Sequence, residues 1–311
     1  MSETTIGIDI SKESLDVYRW PGDERRRFAN TPAGHRGLIA WIGPPPARVV
    51  YEPTGPYHRK LETRLAEAGL PIVKVNPRQA RRFAEATGQR AKTDALDAAM
   101  LARMGALLDL EPRPVRDATL NELKDLQVAR AALVKDRTAA RTRAKTLTLP
   151  LLRRHNAERL RQITRQIAAV DAAILTLIKA DPALAARFAI LASIPGLAAV
   201  TAAMLVTEMP ELGHLDPKQA ASLAGLAPIA RQSGRWRGKS FVQGGRAHVR
   251  QALYMPALVA MRFNPDLKAK YDQLIARGKA PKQAITAIMR KLIVLANAIL
   301  KAGRTWKPKL P

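Results

Sequence analysis

Between Pro114 and Pro182 the chain holds no glycine and a single proline, Pro150. A stretch this long without helix breakers has little besides helix as its ordered form. Its apolar residues agree. Leu160, Ile163, Ile167, Val170, Ile174 and Leu177 follow one another in steps of three and four, a heptad seam. A looser seam runs through Leu123, Leu126, Leu133, Ala140, Ala144, Leu147 and Leu151. The expectation is a coiled-coil helical hairpin over about residues 119–180, turning near Pro150. A thin two-helix seam leaves much apolar surface bare, which favours pairing with a second chain. The alternative is a hairpin that packs on its own domain.

Ahead of Pro112 and Pro114 the pattern differs. Residues 4–10, 14–20, 25–29, 48–52 and 71–75 read as strands, and residues 35–42, 59–68, 78–86 and 94–108 as helices. Strands that come first in hairpins and then alternate with helices predict a mixed α/β layer domain. Past Pro182 the chain is Ala-rich and helical, interrupted from Gly225 to Gly245 by a basic, Gly-rich stretch. Further helices are expected at residues 246–262 and 281–301. The fold class is therefore α/β plus α. Its domains are residues 1–112, the hairpin at 113–181, and a mostly helical domain at 182–311.

Lys and Arg number 52 against 26 Asp and Glu, a net charge of +26. The excess is uneven: +4 over residues 1–110, +8 over 111–180 and +14 over 181–311. Such a surplus repels itself in a compact state, and a polyanionic partner is the usual reason to carry it. Nucleic acid fits best. A membrane surface is not expected, since the sequence offers neither a span nor a basic amphipathic anchor, and no secretion signal opens the chain. The cell interior is the expected location. The absence of cysteine removes disulfides and thiolate zinc sites.

Four acids stand out in the first domain. Asp9 and Glu52 each close an apolar strand, and Asp94 and Asp97 lie three apart in a helical stretch, on one face. Singly, each has an ordinary structural explanation, such as a helix N-cap for Asp94. Together they form an all-oxygen donor set suited to Mg²⁺ or Mn²⁺, and paired ions of this kind serve phosphoryl transfer. In the second half Ser233 lies in a run with Arg231, Arg235, Arg237 and Lys239, and Arg246 and Arg250 follow without an intervening acid. Spacing alone favours a phosphate-binding loop with an incidental serine, because only His248 is near enough in sequence to act as a base. Residues 193–202, with Pro195 and Gly196, resemble a helix-hairpin-helix turn whose second glycine is replaced by Ala198; a plain helix connection explains them equally well. Trp236, Trp306 and Tyr254 could stack on bases, although a core role is the stronger expectation for each.

These pieces, in this order, resemble insertion-sequence transposases of the DEDD type, the bridge-RNA-guided serine recombinases, and their relatives the pilin-gene invertases. The resemblance rests on residues 6–12 and 51–55, Asn76-Pro77-Arg78-Gln79, and residues 91–98. In the second half it rests on Ile194-Pro195-Gly196, Gly225-Leu226-Ala227-Pro228, Ser233-Gly234, Gly244-Gly245-Arg246, residues 249–255 and Met289-Arg290-Lys291-Leu292. It implies a RuvC-like, ribonuclease-H-type first domain in which Asp9, Glu52, Asp94 and Asp97 bind Mg²⁺. It implies that Ser233 is the nucleophile, joined transiently to DNA as a phosphoserine, and that the serine of one subunit serves the carboxylates of another. A dimer or tetramer, donor and target DNA and a structured noncoding RNA are the implied partners. Lys12 and Lys92 join the arginines and lysines around Ser233 as expected nucleic-acid contacts. The alternatives are a Holliday-junction resolvase-like metal nuclease, a DNA invertase without an RNA guide, a nucleotide-dependent ATPase suggested by residues 7–12, and a non-catalytic nucleic-acid-binding protein.

Overall fold

The computed structural model describes residues 4–43, 48–53, 55–88, 94–112, 117–238 and 240–307, without the side chains of residues 94–96. The chain divides into two compact units, Met1–Arg116 and Asp117–Pro311.

Among the described residues the first unit is built on a five-stranded sheet in the order β3-β2-β1-β4-β5. The strands are β1 (Thr5–Ile10), β2 (Ser14–Trp20), β3 (Glu24–Ala29), β4 (Arg48–Tyr51) and β5 (Ile72–Lys74). The first three form an antiparallel meander, and β4 and β5 run parallel to β1. Parallel strands need crossovers. Helix α1 (Pro32–Ile42) leads from β3 to β4, and α2 (Arg59–Glu67) from β4 to β5. This mixed sheet with its helices is ribonuclease-H-like, as the sequence led us to expect.

The pleat of β1 divides its residues between two layers. Ile6, Ile8 and Ile10, with Val49 and Tyr51, pack against Leu38 and Ile42 of α1 and Leu61 and Leu65 of α2. The other face takes α3 (Pro77–Ala86) and α4 (Asp94–Leu107), where Val50, Val73, Ala80, Met100, Leu101 and Met104 cluster. Gly7 sets the spacing of that second layer. A Cβ there would lie 2.0 Å from the Ala98 carbonyl oxygen and 2.6 Å from the Ala102 nitrogen. Only a residue without a side chain lets α4 lie this close to the strand. The buried carboxylate of Glu62 on α2 pairs with the Lys74 Nζ at 2.5 Å and faces His58 Nε2 at 3.6 Å, tying α2 to β5.

The second unit begins with the expected hairpin, α5 (Ala118–Ala144) and α6 (Pro150–Ala180). Ile163, Ile167 and Ile174 of the heptad seam are buried, as are Leu123 and Ala140 on α5. Arg130 grips Asp171 across the hairpin with two hydrogen bonds, and Asn156 donates to the Ala140 carbonyl at 3.0 Å. At the root of the hairpin, Leu123, Ile174 and Ile178 join the core of the helices that follow.

Those helices are α7 (Pro182–Ala192), α8 (Ala199–Glu208), α9 (Pro217–Leu223), α10 (Ala247–Ala252), α11 (Tyr254–Phe263), α12 (Pro265–Ala276) and α13 (Pro281–Lys301). Helix α8 is buried from Thr201 to Glu208. Among the described residues α13 alone is long and apolar enough to cross a membrane, a property the sequence reading missed. One face of α13, from Ala284 through Ile288, Leu292 and Ala296 to Ile299, lies in the core. Buried Asn297 on that face accepts from the Gly213 N–H and donates to the Leu215 carbonyl, so its amide is satisfied.

Two expectations need correcting. The helix expected over residues 246–262 is broken at Leu253 into α10 and α11. Pro256 explains the break, since it lacks an N–H and its ring would collide with the carbonyl four residues back in a continuous helix. Helix α12 was not anticipated, although Asn264 caps it by accepting the Leu267 N–H and Pro265 opens it. The described residues of the Gly-rich interruption include short strands. These are β6 (Pro228–Ile229) paired with β9 (Phe241–Val242), and within that pair β7 (Gln232–Ser233) paired with β8 (Trp236–Arg237).

Candidate active site

Strands β1 and β4 run in parallel with Ile8 beside Tyr51. One residue further, Asp9 stands next to Glu52, the first residue past β4. Neighbouring strands lie roughly 4.8 Å apart, so this register sets two carboxylate-bearing residues side by side at one sheet edge. The pleat assigns Asp9 with Gly7, and Glu52 with Val50, to the face that α4 covers. Along that face Gly105 sits against Thr5, and Ala98 against Gly7. Helix α4 therefore begins at the end of β1 that carries Asp9, and Asp94 and Asp97 lie in its first turn. Asp9, Glu52 and Asp97 are each half-buried, and the Asp94 side chain lies outside the described residues.

The register adds an acid that the sequence reading missed. Asp16 on β2 lies directly opposite Asp9, and Arg27 on β3 approaches it at 3.6 Å. Like charges facing each other across strands are destabilising. Among the described residues no three acidic, histidine or cysteine side chains are gathered closely enough to hold a metal ion. The chemistry of the donors nevertheless fits a hard divalent cation, because carboxylates at neighbouring strand ends repel unless positive charge lies between them.

Asn30 joins the two loops that carry Asp9 and Glu52. Its Nδ2 donates to the Ser11 carbonyl at 2.8 Å, just past Asp9, and to the Tyr57 carbonyl at 3.2 Å, in the loop after Glu52. Its Oδ1 accepts from His35 Nε2 at 2.7 Å. Burial, helped by Arg64 and Lys60, pushes the His35 pKa below its ordinary 6.5 and keeps the ring neutral. Burial likewise lowers that of His58, against the opposing pull of Glu62. Both rings must gain charge when this unit is acidified. Their folded pKa values lie below 6.5, so the unfolded chain takes up protons first. Stability is then full above about pH 6.5 and falls as the pH drops below it. Urea midpoints measured from about pH 7.5 down to about 5.5 should decrease, with a shallower slope in His35→Gln. A midpoint that rises on acidification over this range would contradict the account.

In the second unit β7 and β8 form the tip of a basic arm. Ser233 pairs with Trp236 across a two-residue turn, Gly234-Arg235, with Gly234 at positive φ. The Gly238 N–H donates to the Arg231 carbonyl at 2.9 Å and closes the ribbon. Ser233, Arg231, Arg235 and Arg237 are all exposed. The Arg231 guanidinium lies over the Phe241 ring at 5.4 Å. Arg246 and Arg250 are placed differently. Arg246 grips Glu211 with both terminal nitrogens and also donates to the Glu208 carbonyl. Arg250 donates to the Gly225 and Gly244 carbonyls at the arm's root, at 3.2 and 2.9 Å. Lys12 is exposed in the turn after Asp9. Lys92 and Lys239 lie outside the described residues. The turn at residues 193–198 links α7 to α8, and a Cβ at Gly196 would meet the Pro256 carbonyl at 2.7 Å, so packing against α11 accounts for that glycine.

Comparisons with known proteins agree over the whole chain. Residues 6–150 match the DEDD transposase family of IS110, and residues 188–272 match the transposase IS116/IS110/IS902 family. The chain is 30% identical over its full length to the pilin gene-inverting proteins of Moraxella bovis and Moraxella lacunata, covering 99% of each. It is 31% identical over 173 residues to an uncharacterized protein of the insertion element IS110 from Streptomyces coelicolor, across 53% of this chain and 40% of that protein.

Proposed function

The chain belongs to the IS116/IS110/IS902 family of transposases, enzymes of DNA recombination that act on DNA, and from that premise we propose that it cuts and rejoins DNA with a carboxylate tetrad and a serine nucleophile. The DEDD family implies a divalent metal. Asp9, Glu52, Asp94 and Asp97 would hold it, as Mg²⁺ or Mn²⁺. Bound there, the cation neutralises the carboxylates and supplies Lewis acidity toward a phosphate oxygen.

The chain's own residues do the rest. The Ser233 Oγ attacks the scissile phosphorus, and a serine–phosphate ester forms as one ester bond to deoxyribose breaks. The serine proton is released to water and the leaving oxygen takes one up. One ester replaces another, so a DNA hydroxyl can later displace the serine without an external energy source. Arg231, Arg235 and Arg237 hold phosphate oxygens and steady the charge that develops on them. The serine of one protomer serves the carboxylates of another, which requires a dimer or tetramer. The surplus of positive charge suits a structured RNA that pairs with the DNA, held through its backbone.

The observation that carries this reading is the parallel register of β1 and β4. It supports the reading because Asp9 and Glu52 each follow the paired Ile8 and Tyr51, and α4, whose first turn holds Asp94 and Asp97, covers that face of the sheet. The full-length likeness to pilin gene-inverting proteins favours a second outcome of the same chemistry, inversion of a DNA segment. The deciding experiment traps the protein on cleaved DNA and identifies the attached residue by peptide mass spectrometry. The expected residue is Ser233. Cleaved DNA that carries no protein would instead make this a metal-dependent nuclease of the Holliday-junction type.

A further inference from the structure

We propose that Trp236 is a DNA-stacking residue that seats a nucleobase beside the phosphate presented to Ser233. The inference rests on the reading of Ser233 as a DNA-facing residue. A core role was the stronger expectation for this tryptophan, and the structure overturns it. Trp236 is 61% exposed, whereas Trp306 packs partly buried against the helical core. An indole so exposed forgoes the burial that normally accounts for tryptophan.

The placement of Trp236 is specific. Residues directly opposite one another in an antiparallel pair project from the same side of the ribbon. Ser233 and Trp236 are such a pair, and Arg231, two residues before Ser233, shares their side. The indole lies over Gly238, where an added Cβ would come within 2.2 Å of the ring. Glycine at that position leaves room for the ring on this side of the ribbon. The serine is thus flanked by a guanidinium, which binds phosphate, and by a flat aromatic surface, which binds the face of a base. Phe241, 51% exposed and stacked with Arg231, extends the apolar surface toward the arm's root. The charge of the arm selects the occupant. No acid occurs between residues 231 and 250, and Arg231, Arg235 and Arg237 are exposed along the ribbon. An apolar protein partner would have to bury those guanidinium groups, whereas a DNA strand offers each a phosphate.

Stacking and phosphate binding can be separated with the full-length protein and two short single strands, one an ordinary oligodeoxynucleotide and one in which base-free spacers replace the nucleosides. The ordinary strand should quench tryptophan fluorescence and the base-free strand should not. In Trp236→Phe the quenching should disappear although Trp20, Trp41 and Trp306 remain. Trp236→Ala should bind the ordinary strand about tenfold more weakly, with Trp236→Phe recovering much of the loss, and its affinity for the base-free strand should not change. Equal quenching by both strands, quenching that survives in Trp236→Phe, or undiminished affinity in Trp236→Ala would overturn the proposal. Ser233→Ala keeps the two readings apart. Quenching that persists in it supports the stacking role whether or not the serine proves to be the nucleophile.

Discussion

Ser233→Ala and Asp9→Ala are each expected to reduce recombination by about a thousand-fold or more, with DNA binding largely intact. The two losses have different physical origins. Without the serine Oγ no atom can take over the phosphate from deoxyribose, so no protein–DNA adduct accumulates. Without Asp9 the sheet edge loses the carboxylate next to Glu52, and the cation proposed to lie there would be held less tightly. The Asp9 variant should therefore regain some cleavage at high Mn²⁺ concentration, and the Ser233 variant should regain none. Neither side chain is a cation, so affinity for duplex DNA and its salt dependence should stay near those of the parent protein. Electrophoretic mobility shifts and a strand-exchange assay on the same preparations separate the outcomes. A Ser233→Ala protein that cuts DNA normally would end the serine mechanism. Loss of binding in both variants would point to misfolding.

Gly7→Ala is expected to be nearly as damaging, although the residue touches no substrate. Its new methyl carbon would lie 2.0 Å from the Ala98 carbonyl oxygen, in helix backbone that no rotamer change can move aside. Helix α4 must retreat by roughly 1 Å to restore an ordinary carbon–oxygen contact. Overpacking of this kind costs about 1–3 kcal/mol, which for a unit of this size lowers the melting midpoint by about 10 °C. The retreat also draws Asp94 and Asp97 away from the sheet edge. In the proposed mechanism these are catalytic groups, and misplacing such groups by about 1 Å can cost a hundred-fold in rate. Activity should thus fall at temperatures where the variant is still folded, as checked by circular dichroism beside the strand-exchange assay. A variant with unchanged melting and full activity would mean that α4 is not seated on β1 in this way.

Much of this architecture could be read from the residues because each element carried a local signal. The strand runs at Ile6-Gly7-Ile8 and Val49-Val50-Tyr51 are short, apolar and followed by acids, and Pro77 after Asn76 marks a helix start. The heptad steps from Leu160 to Leu177 gave the long helix α6. What escaped depends on pairing between positions. Asp16 opposite Asp9 requires a strand register, and Asn30 bridging Ser11 and Tyr57 requires three segments of chain to meet. The ribbons of the arm are two residues long, too short for any periodicity to show. The break before α11 and the start of α12 were marked by Pro256 and by Asn264-Pro265. At Pro256 an apolar pattern continuous enough to read as one helix outweighed the signal, and the one at Asn264-Pro265 went unread.

The arm's root has a different consequence. Gly225 and Gly245 pack backbone to backbone, and a Cβ on Gly245 would lie 2.3 Å from the Gly225 nitrogen. At the outer bend, Gly234 has nothing within 4 Å of where its Cβ would be. A side chain is thus barred by contact at one end, whereas at the other it meets no neighbour and only the positive φ of Gly234 favours glycine. Variation that alters what the loop grips can accumulate at its far end without disturbing how the loop is mounted, a division that would let one scaffold be re-aimed at new DNA.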